Sequence, residues 1–242
     1  MKGIVLAGGR GTRLFPLTKV TNKHLLPVGR EPMIYNPLKQ LISAGITDIL
    51  IVTSTEHMGD IVGLLGSGVA FDAEFTYRVQ EKAGGIAEAL SLAETFAAGE
   101  RIVVILGDNI ATHSIRPYVE AFQQQPHGAR VLLTRVDNPS DFGIAALDEK
   151  RIVAIEEKPS QPRSDFAVIG YYMYDEQVFD IIRRQTASAR GEMEITDVNN
   201  EYIQMEQMEY SVLRGEWTDA GTLESWQVAN RIMFDVDNGI QE

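Results

Sequence analysis

Apolar residues in the first half of the chain occur in short continuous runs, each ended by glycine or a polar residue. Such runs are typical of strands buried on both faces, and the helical spacing of apolar residues between them indicates amphipathic helices. The continuous runs predict strands at Gly3–Ala7, Asp48–Thr53 and Ile102–Leu106, and alternation of apolar and polar residues predicts another at Glu74–Val79. The predicted helices cover residues 32–44, 57–65 and 86–97. This alternation predicts an α/β fold with a Rossmann-like, mostly parallel mixed sheet covered by helices.

The second half has a different pattern, because strand candidates follow one another with few helices between them. This crowding predicts a smaller antiparallel extension of the main sheet. The strand candidates are residues 129–136, 143–147, 152–157 and 167–174, and helices are predicted at 176–184, 195–206 and 222–234. No linker separates the two patterns, so we expect a single domain over residues 1–242, with halves 1–125 and 126–242.

The composition narrows the class of protein. Hydrophobic residues make up 44% of the 242 residues, and no apolar run approaches the ~18 residues of a membrane span. Cysteine is absent, which excludes disulfides and thiolate metal sites. The formal net charge of -12 argues against non-specific nucleic-acid binding. We therefore expect a cytoplasmic protein whose partners include neither nucleic acid nor membrane.

Charge is unevenly distributed along the chain. Residues 1–40 contain seven lysines and arginines against the single acid Glu31, whereas the remainder carries 15 basic and 33 acidic residues. A local basic segment in an acidic chain predicts a focused anion site.

A glycine-rich segment lies within this basic stretch, directly after the first predicted strand. Gly8, Gly9 and Gly11 can adopt positive φ and let their amides approach an anion. Arg13 can add charge-assisted hydrogen bonds to phosphate. Leu14 stands where the dinucleotide fingerprint has its third glycine, and the Gly-Lys-Ser/Thr triplet of the Walker loop is absent. The segment is therefore a phosphate loop of another kind, or only a tight turn.

The segment Gly8–Pro16 is followed at fixed spacing by Thr18, Lys23 and Leu25–Val28. This pattern resembles the sugar nucleotidyltransferases, and among them the glucose-1-phosphate thymidylyltransferases. The resemblance implies that the loop holds a nucleoside triphosphate, and that Arg13 and Lys23 stabilise the leaving pyrophosphate. The residues that it assigns to nucleotide binding here are Leu6, Gly8, Gly9, Gly11, Thr12, Arg13 and Lys23.

A second matching segment is Gln80 with Gly84–Ala87, which resembles the base-recognition segment of that family. By the resemblance, the Gln80 side chain and the Gly85 backbone bind the pyrimidine edge. A carboxamide offers both a donor and an acceptor, which suits a base that presents both. The family's usual Gly-Leu-Ala-Gln is Gly-Ile-Ala-Glu here, with Glu88 last.

Two aspartates lie at positions suited to a metal. Asp108 directly follows the predicted strand 102–106, and ligands of open α/β sheets bind beyond the carboxyl ends of strands. By the resemblance, Asp108 also contacts the nucleotide and holds Mg²⁺ together with Asp219, whereas Asn109 belongs to the sugar-phosphate side. Mg²⁺ typically takes one or two carboxylates with phosphate oxygens and waters. Ala220 stands where the family more often has threonine.

Glu157 and Lys158 follow a predicted apolar strand. By the resemblance, Glu157 binds sugar hydroxyls and Lys158 binds the phosphate of the sugar phosphate. A carboxylate can accept from two vicinal hydroxyls, and an ammonium suits a phosphate. Phe142 stands where the family commonly has tyrosine. The resemblance also assigns Gly143, Val168, Gly170 and Arg190 to sugar-phosphate binding. It implies that the antiparallel extension is the sugar-binding part of the chain.

The resemblance implies a reaction in which glucose 1-phosphate attacks the α-phosphorus of dTTP with Mg²⁺ as cofactor. Catalysis is then positioning and charge neutralisation by Arg13, Lys23, Lys158 and Asp108. Three alternatives remain: UTP or another sugar phosphate with the same chemistry, a non-catalytic sugar-nucleotide sensor, and a nicotinamide dehydrogenase, which Leu14 disfavours. The chain resembles the short form of the family, which leaves a homo-oligomer open.

Overall fold

The computed structural model describes residues 1–149, 151–188 and 190–239. The strands are β1 (Lys2–Ala7), β2 (Pro27–Val28), β3 (Glu31–Pro32), β4 (Asp48–Ser54), β5 (Glu74–Gln80), β6 (Ile102–Leu106), β7 (Asn109–Ala111), β8 (Ala129–Arg135), β9 (Gly143–Asp148), β10 (Arg151–Glu157), β11 (Phe166–Tyr174), β12 (Met208–Val212) and β13 (Trp217–Asp219). The α-helices are α1 (Tyr35–Ser43), α2 (Met58–Leu65), α3 (Ile86–Ser91), α4 (Glu94–Ala97), α5 (Arg116–Gln124), α6 (Gln177–Arg184), α7 (Ile195–Gln204) and α8 (Leu223–Asp237).

The predicted strands of the first half are confirmed as β1, β4, β5 and β6, and those of the second half as β8 to β11. The central residues of β1, β4 and β6 are fully buried, which accounts for their uninterrupted apolar runs. The fold class is confirmed as mixed α/β, with a mostly parallel part flanked by helices and an antiparallel part.

Helix α5 was not predicted, α8 extends past the predicted end at residue 234, and two further predicted helices differ from the observed ones. The helix expected from residue 32 begins at Tyr35, because Pro32 pairs with Pro27 in the short β2–β3 ladder. The helix expected over residues 86–97 is divided into α3 and α4. Near the break, the Ser91 hydroxyl donates to the Glu88 carbonyl oxygen at 2.7 Å, a side-chain bond that competes with the helical ladder.

The described residues form two compact units that alternate along the sequence. The loop unit comprises Gly3–Ala83, Ile105–Arg116 and residues 214–239, and the antiparallel unit comprises Met1–Lys2, Gly84–Val104 and Pro117–Leu213. The expected single domain with halves 1–125 and 126–242 stays a prediction.

In the loop unit, β4 pairs in parallel with both β1 and β5. Just beyond β6, the Gly107 amide donates to the Leu6 carbonyl oxygen at 2.9 Å, so the carboxyl ends of β1 and β6 lie together. The ladder between β7 and β13 is antiparallel, with Asp219 opposite Asn109.

A buried apolar cluster anchors the glycine-rich segment within the loop unit. Its members come from the segment that carries the family resemblance, from β7 and from the region of α8: Leu14, Leu26, Val28, Met33, Ile110, Ala220 and Ala229. Burial of each large side chain contributes about 1.5–3 kcal/mol, so the cluster holds these distant segments together.

The antiparallel unit contains the β9–β10 hairpin and the long β11, which pairs antiparallel with β8. The strand β12, which the sequence pattern did not predict, pairs in parallel with β8, so the unit is not wholly antiparallel. In the part of the chain that the structure describes, no helix is long and apolar enough to cross a membrane.

Candidate active site

The three glycines of the loop have three different physical requirements. A side chain at position 8 would place its Cβ 2.8 Å from Oε1 of Gln80, so Gly8 leaves room for that carboxamide. Gly9 has φ of 92° with open space around it, so its requirement is conformational. Gly11 has φ of 60°, and a Cβ there would lie 3.1 Å from both Lys23 and Thr18. Positive φ is therefore found at Gly9 and Gly11 but not at Gly8.

Arg13 lies in the short 3-10 turn Thr12–Leu14 that follows Gly11. The Gly11 carbonyl oxygen begins this turn by accepting from the Leu14 amide at 3.0 Å, and it also accepts from the Thr18 hydroxyl at 2.7 Å. A Cβ at Gly221 would lie 3.2 Å from Arg13 Nη2 and 3.5 Å from Asp219 Oδ2. The fold thus brings the guanidinium of the loop next to the second predicted metal ligand.

Lys23 and Asp108 form a largely buried ion pair, with Nζ donating to Oδ2 at 2.5 Å. The other carboxylate oxygen, Oδ1, accepts from Asn109 Nδ2 at 3.0 Å. Burial raises the pKa of the Asp108 carboxyl, but the charge of Lys23 and the hydrogen bonds from Lys23 and Asn109 outweigh burial, so the net pKa lies well below its ordinary value. The Asp108 carboxyl is therefore ionised at neutral pH.

The carboxylates at and near Asp108 are of a type that fits Mg²⁺. Asp219 pairs with Asn109 across the β7–β13 ladder, and the Ala220 amide donates to the Asp108 carbonyl oxygen at 2.8 Å. Two carboxylates therefore lie on adjoining backbone segments, and both offer hard oxygen donors. Among the described residues, no group of three or more His, Cys, Asp or Glu side chains that could hold a metal occurs.

Part of the basic segment serves the fold rather than an anion site. Lys39 pairs with Glu31, and Arg30 Nε lies 3.8 Å from Asp237 Oδ2. The cations of the segment that lie in or beside the loop are Arg10, Arg13 and Lys23.

In the antiparallel unit, Glu157 ends β10 opposite Gly143 of β9. Its Oε2 accepts from the Thr196 hydroxyl at 2.7 Å. A Cβ at position 143 would lie 3.3 Å from Oε2 of Glu157 and 3.4 Å from the Thr196 hydroxyl, so Gly143 gives this carboxylate its space. Thr196, which the sequence analysis missed, is a buried partner of the predicted sugar ligand.

Arg190 approaches the same carboxylate, with Nη2 3.4 Å from Glu157 Oε1. It is held by Glu194, which accepts from Nε at 3.1 Å and from Nη2 at 2.8 Å. This two-point contact orients the guanidinium, and Ser188 in turn donates to Glu194 at 2.8 Å. The predicted residues Glu157 and Arg190 are thus brought together.

Lys158 follows Glu157 with φ of 46°, a left-handed conformation that is uncommon for a residue with a side chain. Its amide donates to the Phe142 carbonyl oxygen at 3.0 Å, which ties this turn to the residue before Gly143. Such strain is often found at functional sites. The exposed ammonium of Lys158 therefore extends from a backbone that is locally constrained.

Gly85 has φ of 98°, and a Cβ there would lie 2.5 Å from the Met193 carbonyl oxygen. On either side of it, the Met193 amide donates to Gly84 at 2.8 Å and the Ala87 amide donates to Met193 at 3.1 Å. The predicted base-recognition segment is therefore fastened to the segment that carries Arg190. Only tertiary structure reveals this link.

Val168 and Gly170 lie in β11, where the pairing with β8 shifts between Val168 and Tyr172. Irregularities of this kind re-aim neighbouring side chains and are common beside active sites.

Of the predicted residues, the loop unit holds Leu6, Gly8, Gly9, Gly11, Thr12, Arg13, Lys23, Gln80, Asp108, Asn109 and Asp219. The antiparallel unit holds Gly85, Gly143, Glu157, Lys158, Val168, Gly170 and Arg190. Besides Thr196 and Glu194, the sequence analysis missed Asn22 and His24, although both lie within the matching pattern. It also missed Trp217, whose Nε1 donates to Asn109 Oδ1 at 2.8 Å.

Comparison with known proteins identifies relatives of this chain. A glucose-1-phosphate thymidylyltransferase of Neisseria meningitidis serogroup A is 42% identical over 242 residues, covering 98% of this chain and 84% of that protein. A crystal structure from Bacillus anthracis, assigned as a glucose-1-phosphate thymidylyltransferase in complex with a sucrose, has a TM-score of 0.94 and 57% identity over 97% of this chain and 96% of that one.

A UDP-glucose pyrophosphorylase in its apo form shares the fold, with a TM-score of 0.86 at 22% identity over 98% of this chain and 99% of that one. The sequence profile of the family described as "Nucleotidyl transferase" matches residues 2–235. The chain therefore belongs to the nucleotidyl transferase family.

Proposed function

We propose that this protein transfers a thymidylyl group from dTTP to glucose 1-phosphate, giving dTDP-glucose and pyrophosphate. The observation that carries nucleotidyl transfer is the Lys23–Asp108 pair beside the glycine-rich loop. The choice of dTTP and glucose 1-phosphate is supported by the relatives that bear that name over nearly the whole chain.

In the proposed reaction, a phosphate oxygen of glucose 1-phosphate attacks the α-phosphorus of dTTP. One P–O bond forms as the bond from the α-phosphorus to the bridging oxygen breaks, and pyrophosphate leaves. The nucleophile is already an anion, so the protein supplies positioning and charge neutralisation.

We assign the nucleotide to the loop unit. Arg13 and Lys23 stabilise charge on the β- and γ-phosphates, because both are cations held close to the loop. Gln80, a buried carboxamide beside Gly8, is assigned to the base edge. The Gly85 backbone is also assigned to the base. The loop contacts are assigned to Leu6, Gly8, Gly9, Gly11 and Thr12.

Asp108 and Asp219 are the residues that would hold Mg²⁺. When bound, this ion supplies positive charge at the α-phosphate oxygens. Lys23 contacts Asp108, and its ammonium would bind the phosphates of the nucleotide beside this carboxylate.

We assign the sugar phosphate mainly to the antiparallel unit. Glu157 accepts from sugar hydroxyls, with Thr196 orienting the carboxylate. Lys158 binds the attacking phosphate, and Arg190 adds a second cation. Asn109, Gly143, Val168 and Gly170 are assigned to the remainder of the sugar contacts.

The test is a panel of pyrophosphate-release assays that crosses dTTP, UTP and dCTP with glucose 1-phosphate and galactose 1-phosphate, with Mg²⁺ or with EDTA. We expect the highest kcat/KM with dTTP and glucose 1-phosphate, and none in EDTA. A higher kcat/KM with UTP than with dTTP would change the proposed substrate to UTP. The two bases differ by one methyl group, which is worth only ~1–3 kcal/mol. Binding of dTDP-glucose without release from any pair would indicate a sensor instead.

The Asp108→Asn variant tests the assignment of the metal-binding residues. We expect kcat to fall by at least about 10²-fold in a protein that stays folded, because the variant lacks a carboxylate that would hold the metal's positive charge near the reacting phosphate. The exposed Asp137→Asn is the matched control for removal of one negative charge. Turnover of Asp108→Asn close to that of Asp137→Asn would contradict the assignment.

A further inference from the structure

His24 is a buried histidine that has no part in the proposed mechanism, although it adjoins Lys23. It lies in the 3-10 turn Lys23–Leu25, which Asn22 caps. Asn22 Oδ1 accepts from the His24 backbone amide at 2.8 Å and lies 2.7 Å from ring Nδ1. Because a backbone amide only donates, this Asn22 atom is the oxygen, and Nδ1 must therefore carry the ring proton.

The opposite edge of the ring packs against Gly107. A Cβ at position 107 would lie 2.7 Å from His24 Cδ2 and 3.1 Å from Nε2, so the imidazole fills the space that a side chain would need. Gly107 is itself held by its amide, which donates to Leu6 at the end of β1. The ring therefore rests on the backbone directly before Asp108.

The main chain of His24 is also anchored, since its carbonyl oxygen accepts from the Ile34 amide at 3.0 Å. Asn22 Nδ2 is buried with no hydrogen-bond partner within the described ranges. A buried donor without a partner costs free energy, so asparagine at this position is explained by its oxygen, which accepts from the backbone amide and from Nδ1 of His24.

We propose that His24, locked by Asn22 and packed on Gly107, is a positioning residue that sets the placement of Lys23 relative to Asp108. His24 is bonded in sequence to one member of the pair and packs beside the other, so displacement of its ring changes the approach of Nζ to Oδ2. The proposal rests on the proposed roles of Lys23 and Asp108 in nucleotide binding.

Two substitutions separate the two contacts of the ring. In His24→Leu the volume is kept but the donor to Asn22 is lost. In His24→Asn the carboxamide nitrogen takes the place of Nδ1, so the donor is kept and the contact with Gly107 is lost. Leu65→Ala is the control, because it opens a buried site in α2 and lowers stability away from this cluster.

Under conditions where every variant is folded, we expect His24→Leu to raise the Kd and KM of dTTP by about tenfold or more. The KM of glucose 1-phosphate should stay within about twofold, and Leu65→Ala should change neither value by more than that. A merely structural role for His24 would give His24→Leu and Leu65→Ala the same profile.

Second-site rescue provides a sharper readout. Gly107→Ala adds a methyl group in the space of the ring and should weaken dTTP binding. The double variant Gly107→Ala/His24→Asn lacks Cδ2 and Nε2, so it should recover at least part of the dTTP affinity. Additive losses in the double variant would overturn the proposal.

The same variants distinguish failure of this proposal from failure of the proposed function. Calorimetric dTTP binding reports on positioning even if no sugar phosphate is turned over. If the unchanged protein neither binds nor consumes dTTP, the proposed function fails. Crystal structures of His24→Leu and of the unchanged protein then test whether His24 positions Lys23. An Nζ–Oδ2 separation that is the same in His24→Leu as in the unchanged protein would overturn it.

Discussion

Lys23 Nζ lies 2.5 Å from Asp108 Oδ2, although 85 positions separate the two residues in the sequence. The two side chains are only 15% and 12% exposed. A buried pair is stable only while both charges are present, because an unpaired buried charge carries most of the desolvation penalty. This ion pair connects the loop that resembles a nucleotide-binding segment to the strand end that resembles a metal site.

The Lys23→Met substitution leaves the Asp108 carboxylate buried and unpaired. We expect the free energy of unfolding to fall by about 3 kcal/mol. The double variant Lys23→Met/Asp108→Asn should lose less than the sum of the single variants, with a coupling energy of about 1–3 kcal/mol. Urea denaturation of the four proteins measures this cycle, and strict additivity would mean that the contact is not energetically coupled.

Gly8 faces the Gln80 carboxamide, so its replacement tests the proposed base contact. In Gly8→Ala the Cβ would lie 2.8 Å from Oε1, and the carboxamide must move. We expect the preference for dTTP over dCTP, measured as a ratio of kcat/KM, to fall by about tenfold because the donor and acceptor no longer match the base.

The control for Gly8→Ala is Gly9→Ala, which strains a backbone with φ of 92° but meets no neighbour within 4 Å. It should lower activity with dTTP and dCTP by similar factors and leave their ratio unchanged. An unchanged ratio in Gly8→Ala as well would remove Gln80 from base selection.

Gly85 is expected to be far less tolerant of a side chain than Gly99. Both have positive φ, 98° and 80°, but a Cβ at Gly85 collides with Met193 whereas one at Gly99 meets nothing within 4 Å. Gly99→Ala should cost about 1 kcal/mol of unfolding free energy, and Gly85→Ala should cost more than about 3 kcal/mol. Thermal and urea unfolding measure both, and equal losses would show that the backbone contact with Met193 is not rigid.

The burial of His24 should make the free energy of unfolding depend on pH. Burial and the charge of Lys23 lower its pKa from 6.5 to about 3, so the folded protein keeps the ring neutral while the unfolded chain takes up a proton. The stability from this group is therefore fully present above pH 6.5 and is lost as the pH falls towards 3.

Between pH 6.5 and 4, His24 should remove at most about 3 kcal/mol from the free energy of unfolding. Urea denaturation in EDTA at a series of pH values measures this decrease. His24→Asn should have the shallower dependence, since it lacks the titrating group. Parallel curves for the two proteins would indicate that His24 titrates normally in the fold.

The strands of the mostly parallel part were predictable because their cause is local. A short continuous run of apolar residues is typical of a strand buried on both faces of a sheet. The strands β1, β4 and β6 coincide with such runs. The short β7 and β13 were not predicted, since three residues carry too little pattern and each strand exists only because the other pairs with it. The spacing of apolar residues predicted one helix over residues 86–97 and not the end of α3 at Ser91. That end coincides with the hydrogen bond from the Ser91 hydroxyl to Glu88, which the spacing does not reveal.

The sequence by itself determined the family resemblance, the basic loop after the first strand, and the residue types at each candidate position. Tertiary structure decided which of them meet: Lys23 with Asp108, Gln80 with Gly8, Arg190 with Glu157. It also decided that Gly8 is required for space rather than for positive φ, and that His24 belongs beside the candidate site. The physical reason is that such contacts depend on long-range packing of the apolar cluster and the strand ladders, whereas residue type and spacing record only what neighbouring positions require.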